Sequence, residues 1–91
     1  MGCEWDVRKA EANYRKHSVR FSEAEPVFED DEAITIVDDE SDPGEQRFAS
    51  IGTGAKERVL VVIYSYRGQN IRIISARLAE AHERKQYEES R

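Results

Sequence analysis

Apolar positions along the chain change period twice, and those changes divide it into elements. In VRKAEANYRKH the less polar positions Ala10, Asn13, Tyr14 and His17 recur three or four residues apart, the spacing of one helical face. Arg8, Lys9, Glu11, Arg15 and Lys16 fill the polar positions. Asp6 is a suitable N-cap, with Trp5 before it as the outer half of a hydrophobic staple. SVRF interrupts the pattern. Ser22 and Glu25 then have capping-box spacing, which predicts a short second helix through Ala24, Val27 and Phe28 that tolerates Pro26 near its start. From Ala33 the period becomes two. AITIVD, QRFASIG, RVLVVIYSY and IRIISA read as strands, separated by the turn clusters DESDPGE and GTGAKE and by the hairpin connection RGQN. RVLVVIYSY is continuously apolar and β-branched, as a central strand buried on both faces should be. In IRIISA, alternation groups Ile71, Ile73 and Ser75 on one face and Arg72, Ile74 and Ala76 on the other. A final helix is predicted from about Arg77 to Glu89. The expected fold is α+β in one domain over residues 1–91: two N-terminal helices, a small antiparallel sheet of three or four strands, and a C-terminal helix.

Composition narrows the class. At 91 residues, 38% hydrophobic and 36% charged, the chain has material for one modest core and a heavily solvated surface. It has no apolar run long enough for a membrane span, and MGCEWD has neither a signal-peptide core nor a myristoylation pattern, since Asp6 stands where Ser or Thr is needed. A single cysteine, Cys3, excludes an internal disulfide framework. These features lead to the expectation of a cytoplasmic protein without a membrane partner. The formal charge of −5 hides an uneven distribution. Residues 29–45, EDDEAITIVDDESDPGE, hold nine acids and no Lys or Arg, and the rest of the chain carries ten acids against fourteen bases. A basic body with one acidic segment remains compatible with a nucleic-acid partner, because such binding follows local fields. The segment itself reads as a solvated loop or as a shield over the basic face, with the solvated loop favoured.

Candidate chemistry gathers where IRIISA meets the last helix. If Arg77 begins that helix, Arg77 and Arg84 lie two turns apart on one side, and Glu83, Arg84 and Tyr87 are neighbours. An arginine within a half-buried strand is unusual, since guanidinium is rarely buried without a partner. Arg72 holds that position, Arg47 holds a similar one in QRFASIG, and Tyr64 could join them from the central strand. Together they would make a cationic, aromatic-lined floor able to grip phosphate bidentately; the alternative is an ion pair with the acidic segment. His17 and His82 permit an acid–base pair by number alone, although His17 also suits packing or a helix C-terminus and His82 the solvated surface. No EF-hand spacing or His–carboxylate cluster occurs, so neither a metal site nor a cofactor is expected.

Several stretches together resemble the BrnT family of toxins. Glu4, Trp5 and Asp6, followed by Lys9, Asn13, Lys16, His17, Val19, Phe21 and Ala24, match its N-terminal signature, with Ser18 in a position where the family usually has Gly. QRFASIG, VLVVIYSYRG and IRIISARLAEAHERKQYE match its later motifs in the same order. The resemblance implies a RelE-like microbial ribonuclease fold and a bacterial toxin of a type II toxin–antitoxin pair that cleaves RNA. It also implies neutralisation by a BrnA-type antitoxin in a hetero-oligomer, with operator DNA bound only through the antitoxin. On this reading RNA is cut without metal by attack of the ribose 2′-hydroxyl. Arg72 and Arg77 are the expected phosphate clamp, supported by Arg84 and Arg47. Glu83, His17 or Tyr87 moves protons, Tyr87 or Tyr64 stacks on a base, and Lys9 and Lys16 add RNA contacts. The competing readings are a protein-interaction module and a nucleic-acid binder without catalysis.

Overall fold

The computed structural model describes residues 2–38 and 44–90. In chain order its elements are β1 (Cys3–Glu4), α1 (Val7–His17) and α2 (Phe21–Ala24), the last continued by a 3₁₀ turn (Glu25–Glu29). They are followed by β2 (Ile34–Val37), β3 (Phe48–Thr53), β4 (Val59–Arg67), β5 (Asn70–Leu78) and α3 (Ala81–Glu89). The strands form one sheet in the order β1-β5-β4-β3-β2. All pairings are antiparallel except β1 with β5, which is parallel and places Cys3 opposite Ile71 and Glu4 opposite Arg72. The α+β class stands as expected, but the sheet has five strands and is mixed. A two-residue strand is too short to leave a periodic trace, and its partner lies at the far end of the chain.

The continuous apolar run of β4 puts it at the centre, where it buries side chains on both faces. On one face Leu60, Val62 and Tyr64 join Ile71, Ile73 and Ala76, and are covered by Val19, Phe21, Ala24 and Val27 from the segment after α1. Burying a side chain such as Phe21 or Leu60, exposed by 1% and 0%, contributes roughly 1.5–3 kcal/mol. The opposite face carries Ile51 and Val61, which pack on Ala79 and on Tyr87 of α3.

Local chemistry explains the helix boundaries. Asp6 accepts hydrogen bonds from the Arg8 and Lys9 amides at 2.8 and 3.3 Å, and Arg15, Lys16 and His17 occupy the last turn, where cations suit the helix dipole. The chain leaves α1 through Ser18, whose φ of 58° lies in the left-handed region. That conformation favours glycine, which accounts for the glycine usual at this point in the resembled family. The expected Ser22–Glu25 capping box does not form. α2 starts two residues earlier, at Phe21, with Arg20 as N-cap and no side-chain cap bond, and after Ala24 the chain continues as the 3₁₀ turn with Pro26 near its start. Glu23, 3% exposed in its side chain, instead receives both forks of Arg58 at 2.7 and 2.5 Å, tying α2 to the start of β4. Gly54 lies in the same junction, where a Cβ would come within 2.6 Å of the Glu23 carbonyl oxygen. The last helix begins at Ala81 and not at Arg77, because Arg77 and Leu78 still pair with Val61 and Leu60. Glu80 and Glu83 form its capping box.

α1 is fixed to the sheet by one buried side chain. Asn13 Nδ2 donates to the carbonyls of Val19 and Ala76 at 3.0 and 2.8 Å, and its Oδ1 accepts from the Ala76 amide at 3.1 Å. The amide of Asn13 thus pairs with both backbone groups of Ala76 as a neighbouring strand would. Replacing Asn13 with Leu leaves those groups buried and unpaired, so we expect a loss of about 2–4 kcal/mol in urea unfolding. Ser18→Gly, by contrast, should raise stability by roughly 1 kcal/mol in the same measurement, since it relieves the left-handed strain.

Candidate active site

The central feature of the site is a bulge in β5. Ser75 pairs with Ile63 and Ile73 with Tyr64, which leaves Ile74 as an extra residue between them. In a regular strand Arg72 and Arg77, five apart, would point to opposite faces. The bulge resets the alternation, so Arg72 opposite Ser65, Ser75 opposite Ile63 and Arg77 opposite Val61 share the α3 face. Ile71, Ile73 and Ala76 share the other. This corrects the grouping of Arg72 with Ile74 and Ala76 that simple alternation predicts. Arg47, one residue before β3, accepts a hydrogen bond from the Asp38 amide on its carbonyl at 2.9 Å, extending the β2–β3 pairing. Alternation puts it on the face of Ala49 and Ile51, in line with Ser65. Arg47, Ser65 and Arg72 therefore form one cross-strand row. Ser65 is fully buried, and among the described residues its Oγ has no hydrogen-bond partner.

α3 covers only part of this face. Its first turn meets β5 through Glu83 and Arg77. Further along, Tyr87 donates to Asp30 Oδ2 at 2.5 Å and shares a hydrogen bond with Thr53 Oγ1 at 3.0 Å, beside the end of β3. A groove of about 230 Å³ opens beside the helix, lined by Ile36, Ala49, Ile63, Arg77, Glu83 and Gln86 among others. At the far end of β5, Arg72 lines a second pocket of about 260 Å³ with Glu4, Trp5, Asp6 and Arg67. Arg67 approaches Glu4 to 3.9 Å. Arg67, Ser65 and Ser75 were not singled out in the sequence. The register of the RGQN hairpin would have paired Ser65 with Arg72, but only the bulge brings Ser75 to the same face.

Electrostatics concentrate at Arg77. Its two terminal nitrogens hold Glu83 Oε1 and Oε2 at 2.8 and 2.9 Å, and Oε1 also accepts from the Glu80 amide at 2.8 Å. The Arg77 hydrogen bonds outweigh the opposing effect of burial and, helped by the Glu80 amide, hold the Glu83 carboxyl down to about 2. The same pair raises the Arg77 pKa.

The other residues expected at the site separate. Arg84 is exposed on α3, on a different element from Arg77, so the two do not stack along one helix. Tyr87 is 2% exposed and its hydroxyl is engaged by Asp30 and Thr53. Tyr64 belongs to the opposite face, 4% exposed, with its hydroxyl bonded to Ser50 at 2.8 Å and its ring against Phe28 and Phe48. It joins neither Arg47 nor Arg72, and neither buried tyrosine offers a ring face for stacking on a base. Lys9, Lys16 and His17 lie on α1, across the sheet from α3. Asp30 is part of the α3 anchorage rather than of a solvated acidic loop, accepting from Thr53 N at 3.0 Å as well as from Tyr87. Residues 39–43 of the acidic segment fall outside the described residues. Among the described residues, no three His, Cys, Asp or Glu side chains converge as metal ligands, and no helix is long and apolar enough to cross a membrane.

The Glu83 pKa has a consequence for stability. A carboxyl held at about 2 in the fold and near 4.5 otherwise stabilises the fold fully above 4.5, and that contribution is lost as pH falls toward 2. The gap in urea midpoint between the wild type and Glu83→Gln should therefore stay constant from pH 7 down to about 5.5 and shrink steadily below it.

Comparison with known proteins agrees with this architecture. The family model described as "Ribonuclease toxin, BrnT, of type II toxin-antitoxin system" matches residues 5–83, a span that includes Arg47, Arg72, Arg77 and Glu83 and ends before Arg84 and Tyr87. The crystal structure of the Brucella abortus ribonuclease toxin BrnT superposes with a TM-score of 0.71 at 26% identity, covering 88% of this chain and 97% of that one. No curated protein sequence matches. With most of its length matched and its fold shared, the chain belongs to the BrnT family of ribonuclease toxins of type II toxin–antitoxin systems, and is an RNA-cleaving enzyme.

Proposed function

We propose that this toxin cleaves RNA without a metal ion, on the part of the sheet that α3 leaves open, by attack of a ribose 2′-hydroxyl on the adjacent phosphate. The bond from phosphorus to the leaving 5′-oxygen breaks as the new one forms, giving a 2′,3′-cyclic phosphate and a 5′-hydroxyl end. The observation that carries this reading is the bulge at Ile74, which turns Arg72 and Arg77 to one face in line with Arg47. Such a reaction requires the protein to align the groups, to stabilise the extra negative charge on phosphorus and to move two protons. Planar guanidinium forks suit the first two tasks.

In this mechanism Arg47 and Arg72 bind the backbone across the Ser65 row, and Arg77 faces the reacting phosphate. Glu83 already occupies the Arg77 fork in the free enzyme, and a carboxylate held at about 2 is a weak base. Phosphate has the same bidentate geometry and competes for the fork. Once displaced, Glu83 loses the hydrogen bonds that lower its pKa and becomes the better proton acceptor for the 2′-hydroxyl. Arg84, at the exposed edge of α3, adds a further cationic contact. A BrnA-type antitoxin neutralises the enzyme, and the complex reaches operator DNA through the antitoxin.

The test is cleavage of a defined RNA by purified protein in excess EDTA, with mapping of the product ends. Arg47→Ala/Arg72→Ala should lower kcat by about 10²–10³-fold while the protein remains folded. Glu83→Gln should lower kcat by a similar factor with little change in KM. Activity that EDTA abolishes and Mg²⁺ restores would exclude the metal-free route, and an undiminished arginine double variant would exclude this face. Growth arrest on induction, relieved by co-expression of the neighbouring antitoxin gene, tests the pairing.

A further inference from the structure

A groove of about 500 Å³ runs along the exposed side of α1, on the face of the sheet opposite α3. Val7, Ala10 and Tyr14 form one stripe of the helix, three or four residues apart, and line the groove together with Trp5. Arg15 and Arg20 line it as well. Val7 and Tyr14 are open to solvent, and the Arg20 guanidinium lies over the Tyr14 ring, 4.1 Å from its centre. Among the described residues neither Arg15 nor Arg20 has an ion-pair partner. Glu11 is the only acid among the lining residues.

Trp5 connects this groove to the arginines of the candidate active site. It directly follows β1, in which Glu4 pairs with Arg72, and its ring meets Phe21 edge-on at 6.0 Å. It lines both the groove and the pocket that holds Arg67 and Arg72. Because β1 is only two residues long, the path from Arg72 onto α1 crosses a narrow edge. The acids at that crossing are already engaged. Glu4 approaches Arg67 at 3.9 Å and accepts from Asn70 Nδ2 at 3.4 Å, while Asp6 accepts from the Arg8 and Lys9 amides.

The chemistry of the groove selects its occupant. Aromatic rings interleaved with unpaired arginines suit single-stranded nucleic acid, whose bases stack while cations follow its phosphates. A guanidinium laid over Tyr14 closes that ring to the apolar anchor of a protein partner, whereas a base stacks on a guanidinium plane. The N–H edge of the same group stays open to a phosphate oxygen. An acidic peptide would satisfy the arginines but leave the stacked plane unused.

We propose that the α1 groove is a second binding site for the RNA substrate, taking single-stranded nucleotides that leave the Arg72 end of the active face over Trp5. Bases stack on the Arg20–Tyr14 pair and on Trp5, and Arg15 and Arg20 hold the phosphates. The groove adds affinity for RNA that extends beyond the cut and takes no part in the chemistry. This rests on the reading that RNA lies along the row of Arg47 and Arg72.

The test compares two substrates cut by the full chain: a defined RNA whose cleavage point has been mapped, and the same RNA truncated to about two nucleotides on each side of it. Tyr14 and Arg20 are exposed, so substitutions there leave the core intact. Tyr14→Ala should raise KM for the long RNA about tenfold with kcat unchanged, and Tyr14→Phe should not, since stacking needs no hydroxyl. Arg20→Gln should raise KM similarly and lower the slope of log affinity against log salt by about 0.7. All three should cleave the truncated RNA as the wild type does, whereas Arg47→Ala/Arg72→Ala should impair both substrates. A non-cleavable 2′-O-methyl RNA carrying 4-thiouridine should crosslink to Trp5 or Tyr14. Groove variants that affect both substrates equally or neither, or crosslinks confined to other residues, would overturn the proposal. So would a groove that leaves RNA kinetics untouched and binds an acidic Leu/Glu peptide instead, since that makes it a protein-docking site. If the groove variants behave as expected and the arginine double variant cleaves both substrates normally, the groove stands and the reading of the active face fails.

Discussion

The phase of β5 depends on the two hydrogen bonds by which the Asn13 amide holds the backbone of Ala76. β1 covers the outer side of β5 only at Ile71 and Arg72, so among the described residues no strand lies on that side past the bulge. A strand with one free side and an extra residue is free to slip, and a slip of one would turn every following side chain over. Asn13 replaces the missing strand two residues after Ile74. It commits Ala76 to the face of Val62, and therefore Ser75 and Arg77 to the face of α3. The orientation of an arginine on one side of the sheet is thus set by a helix packed on the other. That link connects the most buried polar group of α1 to the chemistry of the site.

α3 depends in turn on Arg77. The helix buries little of its own, Tyr87 alone within Ala81–Glu89, so hydrophobic packing contributes less here than in α1 and α2. Two polar anchors hold it: the Arg77–Glu83 fork at its start and the Tyr87 hydroxyl between Asp30 and Thr53 near its end. Glu83 serves both in the first anchor and in the capping box, so the residue that fixes the helix also neutralises the arginine. Polar anchors in a partly exposed setting are individually weaker than core packing and easier to exchange for other polar partners. An element held in this way can loosen without unfolding the sheet beneath it.

Much of this was legible in the sequence because it rests on local patterns. The helix at VRKAEANYRKH, the central β4, the RGQN hairpin and the concentration of cations near IRIISA each follow from periodicity or composition. The features that periodicity missed are non-local. β1 is two residues whose partner is about seventy positions away in the chain. The bulge at Ile74 depends on the registers of both β4 and β5, and strict alternation assigned Arg72 to the wrong companions. Arg77 had the spacing to open a helix, but pairing with Val61 kept it in the strand. The tyrosines illustrate a different limit. Tyr64 and Tyr87 carry the same polar handle that a stacking residue would, and only burial shows that both hydroxyls are used inside the fold. Asn13 occupied a position on the helical face, but nothing in one sequence distinguishes an asparagine that tolerates burial from one that completes a sheet.

Charge along the chain was the least local signal, and the fold distributes it differently from the sequence. Asp38 follows β2 at one edge of the sheet, while Arg72 and Arg67 lie near the other, beside β1, and Glu29 lines a pocket with Cys3 and Ile71 at that same edge. A strand order that places β2 and β1 at opposite edges separates Asp38 from Arg72 by the width of five strands. That width is on the order of 20 Å, about two Debye lengths at physiological salt, so Asp38 is screened from Arg72, whereas Arg47, whose carbonyl accepts from the Asp38 amide, sits beside the β2 edge. Net charge therefore says little about what this molecule attracts.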